Sequence, residues 1–407
     1  MARRIGIVAP GGTSGLVGGV ERFGHGLASA FARVGCDVVH LSAGAEEERV
    51  EGGVLWRSLA VQSDERDPWL LDKPRLARAA LDALRDRDEV HVLRFDALSL
   101  DLVPRLAEAL RTRLWLHDHG ASCVRAFRHE PPPGLACPSD AEARAAREDA
   151  CARCLQPWLR PDGAAERAHL RAALSARRAG AARALSRAHE LLAPSQAHAG
   201  ALRAVHGELD LRVVEPGVEA CFLDAGRAAG ASAGVDGGLR ILHAGNHGWW
   251  KGSCDLLDAI DDDADQDADD DATLVLAGSG VDARWTERLA RGSRRARIEQ
   301  HGAYAPAELA RLAASCDVAV FPSRLAESYG LAAAECGAAG LELVVSDQGD
   351  LPGRVGGEQG CVVPAGDVRA LARILARLAA DKRAGRLRRG AHRRARGSDD
   401  CARELLA

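Results

Sequence analysis

Lysine, aromatic side chains and long apolar runs are scarce in this sequence of 407 residues. Aromatic residues make up 4% of the chain, and lysine occurs only as Lys73, Lys251 and Lys382. No run approaches the roughly 18 consecutive apolar residues of a membrane-spanning helix. The chain also lacks the basic excess of a dedicated nucleic-acid binder, because its net charge is −4. We therefore expect neither a membrane-spanning protein nor a nucleic-acid partner.

The segment from Met1 to Pro10 contains an apolar run of only five residues. Such a run is too short for a secretory signal peptide and fits a buried first strand, so we expect a cytoplasmic protein. The 11 cysteines do not indicate a disulfide framework, because cytoplasmic thiols stay reduced. Most of them stand alone in the sequence, and an isolated cysteine usually behaves as a small buried apolar residue.

Short apolar runs alternate with longer segments rich in Ala, Leu and Arg along the chain. This alternation predicts parallel sheets with helices on both faces, and the length fits two domains. We therefore predict two doubly wound, Rossmann-like α/β domains that face a central cleft. Their predicted ranges are 1–205 and 206–385, followed by a C-terminal tail at 386–407. Ligands of such folds bind at the carboxyl ends of the strands.

Two segments are strongly biased in charge. Asp261–Asp271 holds eight Asp in 11 residues, and such blocks are usually solvated loops rather than metal sites. The stretch Lys382–Arg396 is rich in Arg instead. It is either a solvated terminal helix, the interpretation we favour, or a peripheral contact with anionic lipid headgroups at the cytoplasmic face of the inner membrane.

The segment from Phe321 to Glu335 carries the strongest functional pattern. An apolar strand ends at Phe321, a Pro/Ser loop follows, and a helix is predicted to begin near Ser328. The free amides and positive dipole of a helix N-terminus suit a diphosphate, and Gly330 leaves its approach open. Glu327 and Glu335 are about two helical turns, or roughly 12 Å, apart. We expect their carboxylates on similar faces of the helix, although two solvated glutamates would show the same spacing.

The segment Leu239–Gly252 predicts a strand, a loop that begins at Gly245, and a helix from about Ser253. Lys251 stands at the end of this loop, in a chain that has few lysines. A point charge here is suited to neutralise a leaving diphosphate. A solvated surface lysine is the ordinary alternative, but the first strand–helix junction of the second domain favours a specific role.

Pro10–Glu21 is a third glycine-bearing segment, between the first strand and a predicted helix. Its spacing fits neither a Walker loop nor a dinucleotide fingerprint. It is either a flexible loop that faces the cleft or a phosphate contact through Gly18 or Gly19.

These segments occur together with other short motifs. The set comprises Gly18–Glu21, His117 after Leu114–Leu116, Lys251-Gly252, Ala277–Gly280, His301-Gly302, Asp317–Ser323 and the pair Glu327/Glu335. Together they resemble the retaining GT-B glycosyltransferases of family 4, also called group 1, over nearly the whole chain. The resemblance implies that the first domain holds the acceptor and the second a nucleoside-diphosphate sugar. It also implies transfer with retention of configuration and without a metal cofactor.

By this resemblance, His117, Lys251 and Glu327 would be the catalytic residues. Glu327 would hold hydroxyls of the donor sugar, Glu335 would hold the ribose, and Lys251 with nearby amides would hold the diphosphate. His117 would lie near the reacting sugar. The implied donor-binding residues are Gly18, Gly19, Gly245, Lys251, Ser328, Tyr329, Gly330, Leu331 and Glu335.

One position departs from the family pattern. The family usually carries an Arg a few residues before the Lys, whereas Asn246–Trp250 contains none. Either His247 or Arg324 supplies the missing positive charge, or the leaving group is less well stabilised. The loss of one such contact costs several kcal/mol of the barrier, so a donor-binding protein without full activity stays an alternative.

Four cysteines follow His117-Asp118-His119 within an insertion at about 120–160: Cys123, Cys137, Cys151 and Cys154. Cys151 and Cys154 form a C-x-x-C pair, a spacing that can place two thiolates on one metal ion. A structural zinc ion held by the four cysteines is one interpretation, and the resemblance extends to a similar insertion in a subset of the family. Four reduced thiols or a redox-labile pair are the alternatives.

The sequence thus predicts an enzyme that moves a sugar from a nucleoside-diphosphate sugar to a glycan, a lipid-linked glycan or a small-molecule acceptor. A non-catalytic nucleotide-sugar-binding protein of the same fold is the first alternative. A nucleotide-sugar epimerase is the second, and the Glu327/Glu335 pattern speaks against it. An oxidoreductase is not expected, because no dinucleotide fingerprint follows a predicted strand.

Overall fold

The computed structural model describes most of the chain, in ranges separated by gaps. The described residues are 2–10, 18–61, 73–123, 151, 164–229, 237–262, 272–280, 282–355, 360–387, 389 and 395–407. The chain forms two compact units, one of Met1–Glu215 with Cys401–Ala407 and the other of Pro216–Asp400. This division falls after residue 215, ten residues beyond the boundary at 205 that the sequence suggests.

The first unit alternates strands and helices around one sheet. Its elements are β1 (Arg4–Val8), α1 (Gly19–Arg33), β2 (Asp37–Gly44), β3 (Glu47–Glu51), β4 (Val54–Ala60), α2 (Pro74–Leu84), β5 (Glu89–Val92), α3 (Leu102–Ala109), β6 (Arg111–Trp115), α4 (Ala164–Arg187), β7 (Glu190–Ala193), α5 (Gln196–His206) and β8 (Leu211–Val213). The strand order is β3-β4-β2-β1-β5-β6-β7-β8. Every neighbouring pair is parallel except β3 with β4.

The second unit has the same alternation around a sheet of its own. Its elements are α6 (Ala220–Ala228), β9 (Arg240–Ala244), a 3-10 turn (Trp249–Lys251), α7 (Ser253–Ile260), β10 (Ala272–Ala277), α8 (Ala283–Ala290), β11 (Ala296–Gly302), α9 (Pro306–Ala314), β12 (Val318–Phe321), α10 (Leu331–Ala338), β13 (Glu342–Ser346), α11 (Leu351–Arg354), β14 (Gly360–Val363) and α12 (Val368–Arg383). The strand order is β11-β10-β9-β12-β13-β14, and all pairs are parallel.

Each sheet buries apolar side chains on both faces. Along β1, for example, Ile5 and Ile7 belong to one apolar core, whereas Val8 belongs to the core on the other face. The second unit likewise has two cores, with Leu242 in one and Ile241 in the other. This arrangement confirms the predicted fold class of two doubly wound α/β units. Among the described residues, no helix is long and apolar enough to span a bilayer.

The edge strands β3 and β11 are not predicted by the sequence. Glu47–Glu51 is mostly charged and exposed, and Ala296–Gly302 is mostly polar. Neither segment contains the apolar run or the strict alternation that marks a buried strand. Charged side chains on an edge strand also discourage pairing with another chain.

The last residues of the chain belong to the first unit. Helix α13 (Ser398–Leu406) buries Cys401, Ala402 and Leu405 in the same core as Trp115. Nη1 of Arg113 donates a 2.6 Å hydrogen bond to the carbonyl oxygen of Leu405. From the sequence we expect a tail at 386–407, whereas these contacts make its last residues part of the first core.

Candidate functional site

The chain reverses direction across the second sheet between β9 and β12. From β9 it moves outward to β10 and β11, and then it returns to β12 on the other side of β9. Two neighbouring strands with such connections open a crevice at their carboxyl ends, where ligands of doubly wound folds bind. The loops after β9 and β12 border this crevice, and they carry Lys251 and Glu327.

The loop after β9 is a closely packed turn that ends at Lys251 and Gly252. The amide of Lys251 donates to the carbonyl oxygen of Gly248 at 3.0 Å. Gly252 is left-handed, with φ of 68°, and a Cβ there would overlap the carbonyl oxygen of Pro322 after β12. Glycine is therefore required where the two loops touch, and this contact keeps Lys251 beside the β12 loop.

Gly245 directly follows β9 and has φ of 123°. Its carbonyl oxygen lies so close to Gly278 that a Cβ on Gly278 would overlap it. No described atom lies within 4 Å of the place where a Cβ on Gly245 would be. The loops after β9 and β10 thus touch on one side of Gly245, while its other side leaves room for a ligand.

Lys251 and Glu327 form an ion pair in the crevice, between Nζ and Oε1. Ser323 Oγ lies 3.1 Å from the same carboxylate oxygen. The carbonyl oxygen of Glu327 accepts a 2.8 Å hydrogen bond from the amide of Asp350, which fixes the backbone. The side chains of Lys251 and Glu327 are 35% and 20% exposed, so a ligand can reach both charges.

Helix α10 begins at Leu331 rather than near Ser328. Gly330 is its N-cap in a left-handed conformation, with φ of 77°, and a Cβ there would lie 2.8 Å from Cδ2 of Leu351. The backbone before the cap is therefore not helical. The prediction that Glu327 and Glu335 lie two turns apart on one helix is wrong.

Glu327 instead belongs to the loop ahead of α10, and Glu335 lies inside the helix with 3% of its surface exposed. Ser328, Gly330 and Leu331 are partly exposed at the helix start. The first amides of a helix have no partner within the helix, so this end presents hydrogen-bond donors next to the Lys251–Glu327 pair.

Tyr329 uses its side chain within the fold. Its hydroxyl donates a 2.8 Å hydrogen bond to the carbonyl oxygen of Pro216, and the guanidinium of Arg354 lies 4.1 Å from its ring centroid. Arg354 also pairs with Asp350 at 2.7 Å. The backbone amide is therefore the part of Tyr329 suited to contact a ligand.

Neither suggested substitute for the missing Arg offers an uncompensated positive charge. His247 is 2% exposed, and burial lowers the pKa of its imidazole to about 3, so the ring is neutral near pH 7. Arg324 is bound by both carboxylate oxygens of Asp255, at 2.6 and 2.7 Å. Neither observation supports the suggestion that His247 or Arg324 supplies the charge, which stays a prediction. Lys251 and the amides at the start of α10 are positive groups at the crevice.

His117 follows β6 in the first unit. The strand order of this sheet reverses between β1 and β5, and β6 is the neighbour of β5. The imidazole stacks on Trp115 with centroids 5.0 Å apart and meets the ring of Phe23 at 4.5 Å. Burial lowers the pKa of His117 to about 3. Nε2 has no hydrogen-bond partner among the described residues. The ring is therefore neutral, and its unpartnered Nε2 is buried rather than open to solvent.

Gly18 and Gly19 are the N-cap and the first residue of α1. The preceding residues 11–17 lie outside the described ranges, so a phosphate contact through either glycine stays a prediction. These glycines and His117 belong to the first unit, whereas Lys251, Glu327 and the other predicted donor-binding residues belong to the second.

The sequence analysis does not predict a charged cluster that lies at the carboxyl end of β5. Asp96 accepts hydrogen bonds from Arg94 at 2.8 and 3.0 Å and is also in contact with Arg177. Arg177 donates a 3.0 Å hydrogen bond to the carbonyl oxygen of Gly120. Arg94 and Asp96 could have been identified as site candidates, because they are polar residues that closely follow a buried strand. Arg177 could not, because it comes from helix α4, which is distant in sequence.

The predicted cysteine cluster lies partly outside the described residues, because Cys137 and Cys154 are not among them. Cys123 and Cys151 are half-buried and form no disulfide with a described residue, and Nη2 of Arg178 lies 3.8 Å from Sγ of Cys151. Within the described ranges, no three His, Cys, Asp or Glu side chains are placed to hold a metal ion. A zinc ion on the four cysteines stays a prediction, which elemental analysis of the purified protein tests.

The two mainly parallel sheets, each doubly wound, make this chain an α/β protein, and its likeness to solved glycosyltransferases shows that the fold is GT-B. Residues 238–381, most of the second unit, match the family model described as "Glycosyl transferases group 1". A comparison with curated proteins found no significant match.

Solved glycosyltransferase structures share this fold over nearly their whole length. Sucrose-phosphate synthase from Thermosynechococcus elongatus has a TM-score of 0.65 at 18% identity, over 99% of this chain and 94% of that chain. HepE of Anabaena, in complex with UDP and glucose, has a TM-score of 0.63 at 15% identity, over 99% of this chain and 98% of that chain. An α,α-trehalose-phosphate synthase from Burkholderia xenovorans, in complex with glucose-6-phosphate, has a TM-score of 0.60 at 15% identity, over 100% of this chain and 99% of that chain. At these identities the likeness establishes the fold alone.

Proposed function

We propose that this protein is a glycosyltransferase that moves a sugar from a nucleoside-diphosphate sugar to an acceptor hydroxyl, with retention of configuration. The observation that carries this proposal is the juxtaposition of Lys251, Glu327 and the start of α10 at the switch point of the second sheet. The match to group 1 glycosyl transferases spans the same elements and supports the proposal.

The donor diphosphate binds against the amides of Ser328–Leu331, where the helix dipole favours negative charge. Lys251 neutralises the charge that develops on the diphosphate as its bond to the sugar breaks. Oε1 of Glu327 orients the ammonium of Lys251, which leaves Oε2 for hydroxyls of the donor sugar. Glu335 holds the ribose, and the open side of Gly245 gives the donor room.

Transfer at this site requires no metal ion, because Lys251 and the helix amides supply the positive charge that a divalent cation would provide. It also requires no nucleophilic side chain. The departing phosphate oxygen takes the proton of the acceptor hydroxyl, and the acceptor oxygen bonds to the anomeric carbon on the face that the diphosphate leaves. The contact of His117, a residue of the first unit, with the reacting sugar stays part of this proposal.

The solved relatives indicate which substrates to test first. HepE was also solved in complex with UDP-glucose, so a UDP-sugar is the first donor we infer for this chain. The trehalose-phosphate synthase was solved in complex with glucose-6-phosphate, so a sugar phosphate is the first acceptor to test, followed by glycans and glycolipids.

Nucleotide release tests this function. The full chain is incubated with UDP-, GDP-, ADP- or TDP-glucose, with and without each acceptor, and the free nucleotide is measured. We expect release that depends on an acceptor with at least one donor, and a product whose anomeric configuration by NMR is that of the donor. An inverted product would refute retention, and no release with any donor–acceptor pair would refute transferase activity.

A nucleotide-sugar-binding protein without transferase activity is the second candidate. It is favoured by the neutral His247 and the compensated Arg324, which leave Lys251 without a second cation. Calorimetry separates the two candidates, because this one requires tight donor binding with no acceptor-dependent release of nucleotide.

A further inference from the structure

His243 is a buried histidine near the end of β9, with 2% of its surface exposed. Its Nδ1 lies 2.8 Å from the carbonyl oxygen of Val320 in β12. Its Nε2 lies 2.9 Å from Oγ of Ser253, the first residue of α7. The ring therefore connects both strands of the switch point to the helix that follows the Lys251 loop.

These contacts determine where the protons lie. A carbonyl oxygen only accepts, so Nδ1 of His243 carries the proton and donates to Val320. Nε2 then accepts the hydroxyl proton of Ser253, and the Ser253 oxygen accepts a 3.2 Å hydrogen bond from the amide of Gly248. The result is a directed chain of hydrogen bonds from Gly248 through Ser253 and His243 to Val320. Burial lowers the pKa of His243 to about 4, which agrees with the neutral ring that this chain needs.

This chain of hydrogen bonds holds the turn that carries Lys251. The carbonyl oxygen of Gly248 accepts the amides of Lys251 and Ser253, at 3.0 and 3.4 Å, so Gly248 is held at both its N–H and its C=O. The next residue is held as well, because the amide of Trp249 donates to Asp282 at 2.8 Å. These hydrogen bonds hold the backbone that presents Lys251, and the Ser253 hydroxyl that binds the amide of Gly248 is oriented by His243.

We propose that His243 and Ser253 are positioning residues that present Nζ of Lys251 to the diphosphate of the donor, a role that rests on the proposed transferase function. They act through the amide of Gly248 and touch no substrate atom. An ordered Lys251 loop favours transfer, because the cation then needs no reorganisation as the diphosphate leaves.

A role in packing alone would have different consequences. The imidazole centroid lies 5.1 Å from that of His247 and 6.4 Å from that of Phe321, so another side chain of similar size would also fill this space. The substitution His243→Asn keeps a donor for Val320 but is too short to reach Ser253. It therefore removes the link to Gly248 while it keeps the link between the strands.

Acylation of Lys251 tests the geometry without relying on activity. The chain has only three lysines, so mass spectrometry can follow Lys251 against Lys73 and Lys382. In Ser253→Ala and His243→Asn we expect Lys251 to react with an N-hydroxysuccinimide ester about 3- to 10-fold faster, the change that corresponds to one lost hydrogen bond. Rates at Lys73 and Lys382 should not change. Unchanged rates at Lys251 in both variants would overturn the positioning role.

A double-mutant cycle with Lys251→Ala tests the link to donor chemistry. Ser253→Ala and His243→Asn should each lower kcat/KM about 3- to 10-fold, mostly through kcat. In the Lys251→Ala background the same substitutions should change kcat/KM less than about 2-fold, because a positioning residue has no effect once its target is removed. Ser315→Ala, at an exposed serine of the same unit, is the matched control and should leave every value unchanged.

The outcomes separate the two levels of the proposal. Equal effects of Ser253→Ala and His243→Asn with and without Lys251 would overturn the positioning role and leave the transferase function intact. A wild-type chain that turns over no donor would refute the function, and the acylation rates would still decide the geometry. Cooperative unfolding of each variant is checked first, and His243→Asn alone suffices if Ser253→Ala does not fold.

Discussion

Replacing Lys251 with alanine removes the positive charge beside the start of α10. The ion pair with Glu327 is partly open to solvent, with side-chain exposures of 35% and 20%. Such pairs contribute about 0–1 kcal/mol to stability, so we expect Lys251→Ala to change the free energy of unfolding by less than about 1 kcal/mol. The variant should stay folded, and its kinetics then report on chemistry.

The expected loss of activity is much larger than the loss of stability. Removing one preorganised contact to a charge that develops in the transition state lowers kcat by about 10²- to 10³-fold, or roughly 3–4 kcal/mol. Two neighbouring groups do not compensate, because Arg324 is bound by Asp255 and His247 is neutral. We therefore expect Lys251→Ala to reach the upper end of this range.

Nucleotide release, donor binding and urea unfolding are compared for the wild type, for Lys251→Ala and for Lys73→Ala. Lys73 is the matched control, since it lies in the first unit at the start of α2, and its replacement should leave kcat within about 2-fold of the wild type. If Lys251→Ala kept kcat within about 3-fold of the wild type, the assignment of the leaving-group contact would be refuted. A large loss of unfolding free energy would instead show that Lys251 supports the fold.

Three other perturbations test the site and its surroundings. Glu335→Gln should weaken UDP binding about 10-fold through one weaker charge-assisted hydrogen bond; unchanged affinity in calorimetry would remove Glu335 from the ribose site. Gly252→Ala places a Cβ on the carbonyl oxygen of Pro322 and should lower the free energy of unfolding by about 2 kcal/mol or more. Gly200→Ala, a helical glycine with no described atom within 4 Å of its Cβ position, should not destabilise, and equal urea midpoints for the two variants would contradict the strain at Gly252. Burial lowers the pKa of His247 to about 3, so the unfolded chain binds the extra proton first as pH falls. The free energy of unfolding should therefore decrease from about pH 6.5 toward pH 3 by up to about 1.4 kcal/mol per pH unit for this group, and His247→Phe should make the decrease shallower; equal slopes for variant and wild type would contradict this.

Strands with uninterrupted apolar runs could be predicted from the sequence, whereas the polar edge strands β3 and β11 could not. All four residues of β12 are buried, and its uninterrupted apolar run indicates this directly. Glu47–Glu51 lies at an edge, where solvent replaces a second neighbouring strand and charged side chains are stable. No periodic apolar signal remains in such a segment.

The candidate site could be predicted as a set of loops but not as a geometry. Lys251 and Glu327 each follow a predicted strand, but their contact joins residues 76 positions apart and depends on β9 lying beside β12. The sequence predicts the start of α10 three residues too early because Gly330 is a left-handed N-cap. Glycine permits this conformation, but the sequence alone does not show which glycines adopt it. The positioning role of His243 could not be predicted, because the sequence of an apolar strand does not show whether its histidine only fills the core or also links two hydrogen-bonding groups.

The return of residues 401–407 to the first core makes the second unit an insertion within the first. The first unit is interrupted after Glu215 and resumes at Cys401. The chain leaves and re-enters at neighbouring points, because Val218 and Gly397 pair as a parallel bridge. Residues 216–397, which end just ahead of α13, can therefore be expressed as one continuous module to test whether it folds and binds a donor by itself. A short linker from 215 to 398 would join the two parts of the first unit for the same test. A truncation just ahead of Cys401 would spare the sequence of the inserted module and damage the host domain around it.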